Sequence, residues 1–249
     1  MGVHLLVGLY REPSPLRAAE LRTCLARNLA HETLARVHGF VEDADDAAHI
    51  EALRADDLLG HAKMTLVPHG RRVAFGDLFD YAARELPGED VVIANADICF
   101  DESLRRLEGV GLAGRMLALS RWDLERDGGL RLFAAPYSQD AWIFRAPLPA
   151  GIDASWCLGV PGCDSRLAAE AERVGLLVSN PAFDVRAIHM HQSAVRRYTA
   201  RDRLAGAHRY VPLGSLEDVP APLTSPPPDF PWGTAAAMVG TVALWGLFA

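Results

Sequence analysis

The chain has 249 residues, half of them hydrophobic, and a formal net charge of -7. That length fits one large domain whose core needs neither disulfide nor structural metal. The acidic balance excludes a surface built to cover nucleic-acid phosphates. Cys24, Cys99, Cys157 and Cys163 form no Cys-x-x-Cys pair, which argues against a structural zinc site and for a reducing, cytoplasmic setting.

Apolar runs and amphipathic stretches alternate from the start. Leu5 to Tyr10 predicts a buried strand. Ser14 to Ala30 predicts a helix, with Ser14 as cap, Pro15 in the first turn, and Leu16, Leu21, Leu25 and Leu29 near helical spacing. Leu34 to Val41 reads as a second strand, Asp45 to Ala55 as a polar helix and Met64 to Pro68 as a short strand. Phe75 to Leu86 reads as a helix closed by Pro87-Gly88. Val91 to Ala96 is apolar on both faces, as a central parallel strand is. This alternation implies parallel β-α-β units and an α/β fold.

The second half has a different texture. Met116 to Ser120, Leu130 to Ala134 and Ala141 to Phe144 predict strands joined by loops. A helix from Asp164 to Val174 and strands near Leu176 and Val185 follow. A proline-rich stretch then leads into Gly233 to Ala249, which carries no charge. The expected organisation is a domain over 1–212, a Pro-rich linker over 213–232 and an apolar tail over 233–249. The tail is about the shortest segment that spans a bilayer as a helix. It either packs on the domain, trails from it, or attaches the protein to a membrane.

Three polar groups stand out. Asn95 and Asp97 close the most strand-like segment with i, i+2 spacing, which on a strand points both side chains the same way. Ligands bind at the carboxyl ends of parallel strands, where a carboxylate suits a divalent cation holding a diphosphate; the same two residues also suit capping of the next helix, Glu102 to Leu107. Asp164 lies at a predicted helix start, where the dipole favours its charged form and where it also suits a cap. His189 and His191, spaced i, i+2 at a strand end, suit metal ligation, and the sequence does not choose between them.

The run Asn95-Ala96-Asp97-Ile98, followed by Phe100-Asp101-Glu102-Ser103-Leu104, resembles the Asp-x-Asp motif of GT-A-fold glycosyltransferases, particularly the family 2-like group. The resemblance implies a mainly parallel sheet flanked by helices, with Asp97 matching the metal-binding Asp and Asn95 replacing the first Asp. Gly162-Cys163-Asp164 is similar to the helix-opening Gly-Glu-Asp of that group, which would make Asp164 the base that deprotonates the acceptor. His189 or His191 matches its late metal-binding histidine. Mn²⁺ or Mg²⁺, a nucleotide-sugar donor and a carbohydrate or other hydroxyl acceptor are the implied ligands. Tyr10 and Arg11 end the first strand, where the nucleotide sits in that fold. Asp140, within Ser138-Gln139-Asp140-Ala141-Trp142, would bind substrate or replace Asp164. Gln139 and Trp142 are the expected sugar contacts, Trp142 as core or as a stacking platform. Arg72, Arg121 and Arg197 are candidates to neutralise phosphates.

Two rival functions accompany this reading. One is a metal-dependent hydrolase using His189, His191 and Asp97. The other is a glycosyltransferase-like binding protein whose site has decayed, with Asn95 as its signature.

Overall fold

The computed structural model describes residues 2–44, 47–193 and 202–218. Arg197, most of the Pro-rich segment and the whole apolar tail lie outside them. Among the described residues no helix is long and apolar enough to cross a membrane.

The central sheet has seven strands. These are β1 (Val3–Leu9), β2 (Leu34–Val41), β3 (Met64–Pro68), β4 (Asp90–Ala94), β6 (Arg115–Leu119), β9 (Ala141–Arg145) and β10 (Leu177–Ser179). Their spatial order is β10-β6-β9-β4-β1-β2-β3. All run parallel except β9, which is antiparallel to both β4 and β6. A second sheet of four strands is built from β5 (Ile98–Phe100), β7 (Arg121–Leu124), β8 (Leu130–Leu132) and β11 (Ala187–His189). Its order is β5-β11-β7-β8.

Side-chain alternation splits the core between the two faces of the large sheet. Val92 and Ala94 of β4 join Leu5 and Val7 of β1 on the face covered by α1 (Pro15–Ala30) and α2 (Ala47–Leu53). Val91 and Ile93 join Trp142 and Phe144 of β9 on the other face, under α3 (Phe75–Glu85) and α4 (Cys163–Arg173). Helices on both faces of a mainly parallel sheet make this a three-layer α/β fold.

α1 starts as the sequence predicts, with Ser14 Oγ accepting from the Arg17 main chain at 3.4 Å and Pro15 in the first turn. The inward stripe, however, is Arg17, Cys24, Leu25, Asn28 and Leu29, while Leu16 is 74% exposed. The helix expected over 45–55 is shorter, Ala47–Leu53. β5 and β7 are additional to the predicted strands. At the far end Val211 donates to the Pro136 carbonyl, Leu213 bridges Asn180 and Leu216 packs on the core, so the chain stays docked beyond residue 212.

Candidate active site

β4 stops at Ala94, and Asn95 to Asp97 form a turn closed by the Ile98 amide on the Asn95 carbonyl at 3.0 Å. The strand therefore does not continue through Asp97, and Asn95 and Asp97 do not share a face as their spacing predicts. Asn95 donates to Asp140 Oδ1 at 2.9 Å. Asp97 pairs instead with Arg17 and His189. A tight turn rotates successive side chains where a strand would alternate them, and this separates the pair.

Asp97 is buried, and its Oδ2 accepts from two cations. Arg17 reaches it from the first turn of α1, also donating to the Met190 carbonyl at 2.8 Å and to Glu20 at 2.9 Å. His189 Nε2 lies 3.1 Å away. Burial opposes the charge on Asp97, but His189 and then Arg17 hold its carboxyl far below the usual carboxylate range. The backbone reinforces the arrangement, because the Met190 amide donates to the Asp97 carbonyl at 2.9 Å.

His189 ends β11, and His191 follows just outside the strand with its ring 5.4 Å from that of His189. His189 Nδ1 bonds Asp123 Oδ1 at 2.9 Å. Burial pulls against its charge, yet Asp123 and Asp97 raise its imidazole to about 9. His191 is pushed the other way, by burial and then by Arg17 and His189. One ligand atom from each of Asp97, His189 and His191 lies within 4.8 Å of the others. Asp97 Oδ1 and His191 Nε2 are buried without a hydrogen-bond partner. These orphaned acceptors fit a divalent cation, as does the donor set of one carboxylate and two imidazoles.

The second half of the site lies at the start of β9. Because β9 runs antiparallel, its beginning faces the same side of the sheet as the end of β4. Asp140 immediately precedes that strand, only 8% exposed, with Asn95 on Oδ1 and Arg121 Nη1 3.3 Å from Oδ2. Arg121 also donates to Asp123 at 2.8 Å and lies over the Phe133 ring. A chain of polar contacts thus runs from Asp97 through His189, Asp123 and Arg121 to Asp140.

Asp164 sits in the first turn of α4, whose N-cap is Gly162 at φ 82, a backbone region that suits glycine. Asp164 is thus not the cap. Nor does the helix dipole decide its charge, as the sequence predicts: burial and then repulsion from Asp140 raise its carboxyl to about 7. The Cys163 thiol donates to Asp164 Oδ1 at 3.0 Å, and the Gln139 main-chain amide donates to the same carboxylate.

Several expected contacts are placed differently. Trp142 is fully buried and meets Phe75 edge-on at 4.8 Å; it is core, and offers no face to a sugar. Gln139 is equally buried and donates to the Pro136 carbonyl at 3.0 Å, so its side chain faces inward as well. Arg72 ties down the Leu158 carbonyl. Tyr10 is 39% exposed and within electrostatic reach of Arg17 and Asp97, whereas Arg11 is exposed. Tyr137 and Tyr210, each about half exposed, pair edge-to-face at 6.0 Å. They lie on neighbouring segments, since the Val211 amide bonds the Pro136 carbonyl and the Arg209 amide the Ser165 carbonyl.

A cleft of about 270 Å³ adjoins the histidines, lined by Arg121, Asp123, Arg126, Arg131, His189 and His191 among others. Arg17 and Asp123 are site residues that the sequence does not single out. Arg17 had a signal, for it falls on the α1 face of Leu21, Cys24 and Asn28. Asp123 had none, lying in a four-residue strand too short for its alternation to stand out.

No protein-family model matches the sequence, and no curated protein matches it either. Solved structures do match in fold. The mannosyltransferase PcManGT from Pyrobaculum calidifontis, in complex with GDP-Man and Mn²⁺, superposes with a TM-score of 0.50 at 16% identity, over 76% of this chain and 56% of that one. S. aureus TarS 1-349 gives 0.50 at 11% identity, over 76% and 60%. The chain spans little more than half the length of these structures. The fold is accordingly that of the GT-A-like nucleotide-diphospho-sugar transferases, with a mainly parallel central sheet flanked by helices.

Proposed function

We propose that this protein is a glycosyltransferase that moves a sugar from a nucleotide-diphosphate sugar to an acceptor hydroxyl. The observation that carries the reading is the meeting, in a GT-A-like fold, of two chemically distinct groups at the end of β4. One is the Asp97, His189 and His191 cluster, and the other is the acidic pair Asp140 and Asp164. A divalent ion held by Asp97, His189 and His191 would offset the charge that develops on the departing diphosphate. Two imidazoles beside one carboxylate suit Mn²⁺ or another first-row ion better than Mg²⁺, which favours oxygen ligands.

Asp164 acts as the general base. A carboxyl raised to about 7 is matched to taking a proton near neutral pH. The acceptor oxygen attacks the anomeric carbon as its proton passes to Asp164, and the bond to the diphosphate oxygen breaks with its electron pair leaving on the nucleotide. One base and one in-line displacement invert the anomeric centre, and an NMR spectrum showing a retained configuration would sink that assignment. Arg121 pairs with Asp140 beside the base, and Tyr10 borders the donor side. Tyr137 and Tyr210 take the stacking role expected of Trp142, presenting aromatic surface to an acceptor sugar. The transferase domain extends past residue 212 to include the docked segment through Leu216, and the protein works in a reducing, cytoplasmic setting. Membrane attachment through the 233–249 tail is tested by fractionating a chain truncated after Pro227.

The deciding experiment is a thermal-shift screen of UDP-, GDP-, CMP- and dTDP-sugars with and without Mn²⁺, repeated on Asp97→Ala. A ligand that binds the native state raises its midpoint. A metal-dependent rise with one donor, lost in the variant, is the expected result; no rise with any donor refutes the reading. One observation favours a second reading, a donor-binding protein without turnover: Arg17 already occupies Asp97 Oδ2. Donor binding with no nucleotide diphosphate released across a panel of acceptors would select it.

A further inference from the structure

Asp123 touches no substrate position assigned above, yet it is held from three sides. It stands directly across β7 from His189 of β11 and from Arg131 of β8 in the sheet register. Its Oδ1 accepts from His189 Nδ1 at 2.9 Å and from Arg121 Nε at 2.8 Å, and its Oδ2 lies 3.5 Å from Arg131. The carboxylate therefore cannot swing away from the imidazole without breaking two arginine contacts.

An imidazole has two nitrogens, and a hydrogen bond made by one decides what the other can do. With Nδ1 donating to Asp123, Nε2 is the nitrogen that faces Asp97, in the cluster that His191 completes. Outer carboxylates of this kind fix the tautomer and ring orientation of metal-ligating histidines and raise their basicity.

We propose that Asp123 is a positioning residue, an outer carboxylate that presents His189 Nε2 to a divalent cation shared with Asp97 and His191. The inference rests on the metal-binding part of the function proposed above. It also gives Arg121 a second role. By bonding both Asp123 and Asp140, Arg121 sets the spacing between the cation site and the acidic pair. A purely structural role for Asp123, as one member of a strand-edge ion-pair cluster, makes a different prediction, because stability would then suffer while cation affinity would not.

The test is a titration of the full chain with Co²⁺, followed by calorimetry and visible absorption. The proteins are the wild type, Asp123→Ala, Asp123→Asn, His189→Ala and the Asp123→Ala/His189→Ala double variant, each checked for a cooperative unfolding transition. Asp123→Ala is expected to weaken Co²⁺ binding by about 10- to 100-fold, the usual effect of losing such a partner. Asp123→Asn, which keeps an acceptor for Nδ1–H, is expected to recover part of that loss and serves alone if the alanine variant does not fold. The double variant is expected to bind no more weakly than His189→Ala. An unchanged affinity in both Asp123 variants would overturn the inference, as would an equal loss in the presence and absence of His189. Wild-type protein that binds no Co²⁺ would overturn it together with the proposed metal site.

Discussion

His189 Nε2 lies 3.1 Å from Asp97 Oδ2, although 92 positions separate the two residues in the chain. The contact exists because β11 pairs antiparallel with β5, the short strand that begins directly after Asp97. His189 lies opposite Ile98 in that register, and the Met190 amide then bonds the Asp97 carbonyl. The Asp97 and histidine cluster is thus a product of the second, smaller sheet pinning itself to the end of the larger one.

Arg17 gives this site its most testable energetic feature. Its side chain is 7% exposed and that of Asp97 12%, so removing one charge strands the other in a poorly solvated place. Breaking such a pair costs about 3–5 kcal/mol, and Asp97→Ala should lower urea-measured stability by an amount of that order. Combining it with Arg17→Met should return much of the loss, because no unpaired charge is left. Equal instability in the single and double variants would mean that Arg17 is held by Glu20 and the Met190 carbonyl rather than by Asp97.

The raised carboxyl of Asp164 makes two opposite pH predictions. Turnover should climb as pH rises through about 7, because the base form is needed, and Asp164→Asn should abolish activity at every pH. Stability moves the other way. The folded state holds this proton above the pH at which the unfolded chain has released it, so stability falls as pH rises from about 4 through 7. Asp164→Asn should therefore stabilise the protein at pH 8, by up to about 4 kcal/mol, and leave it unchanged near pH 4. Denaturation at both pH values checks the sign.

His38 supplies an acid-side counterpart away from the site. It is buried in β2, its Nε2 3.0 Å from His4 Nδ1 and its Nδ1 2.9 Å from the Tyr81 hydroxyl. Burial, and then His4, lower its imidazole to about 4. The unfolded chain takes up this proton near pH 6.5 while the folded one resists, so stability present above 6.5 is lost as pH falls towards 4. The contribution is about 2–3 kcal/mol, and His38→Gln should flatten the stability curve in that window.

Trp142 distinguishes a core role from a sugar-binding one. Trp142→Ala should cost about 3–5 kcal/mol by opening a cavity, and Trp142→Phe considerably less. Donor and acceptor affinities of the folded Trp142→Phe protein should match the wild type, whereas Tyr137→Ala and Tyr210→Ala should raise the acceptor KM with little loss of stability. A Trp142→Phe protein of normal stability and weakened acceptor binding would contradict the placement.

Much of the fold is legible along the chain. β2, β3 and α3 stand where apolar runs and periodicity put them, because each buries a continuous face or stripe in one of the two core layers. The turn at Asn95 is less legible, since nothing in Ala94-Asn95-Ala96-Asp97 states that the strand stops one residue before the first polar side chain. β7 is illegible for another reason: Arg-Trp-Asp-Leu alternates polar and apolar over only four residues, too short a run to mark a strand by itself.

What the sequence by itself determined is local: where helices begin, which runs are buried on both sides, and which polar residues, Asp97, Asp164 and the two histidines, are candidates for chemistry. What only the tertiary structure decided is which side chains meet. Arg17 finds Asp97 across 80 positions and Asp123 finds His189 across 66, while Trp142 is drawn into the core and Asp164 is set beside the like-charged Asp140. Sheet register and burial set these outcomes. Neither is a property of neighbouring residues, because each depends on which distant strand supplies the other half of the hydrogen-bond ladder and on how much water the completed core excludes.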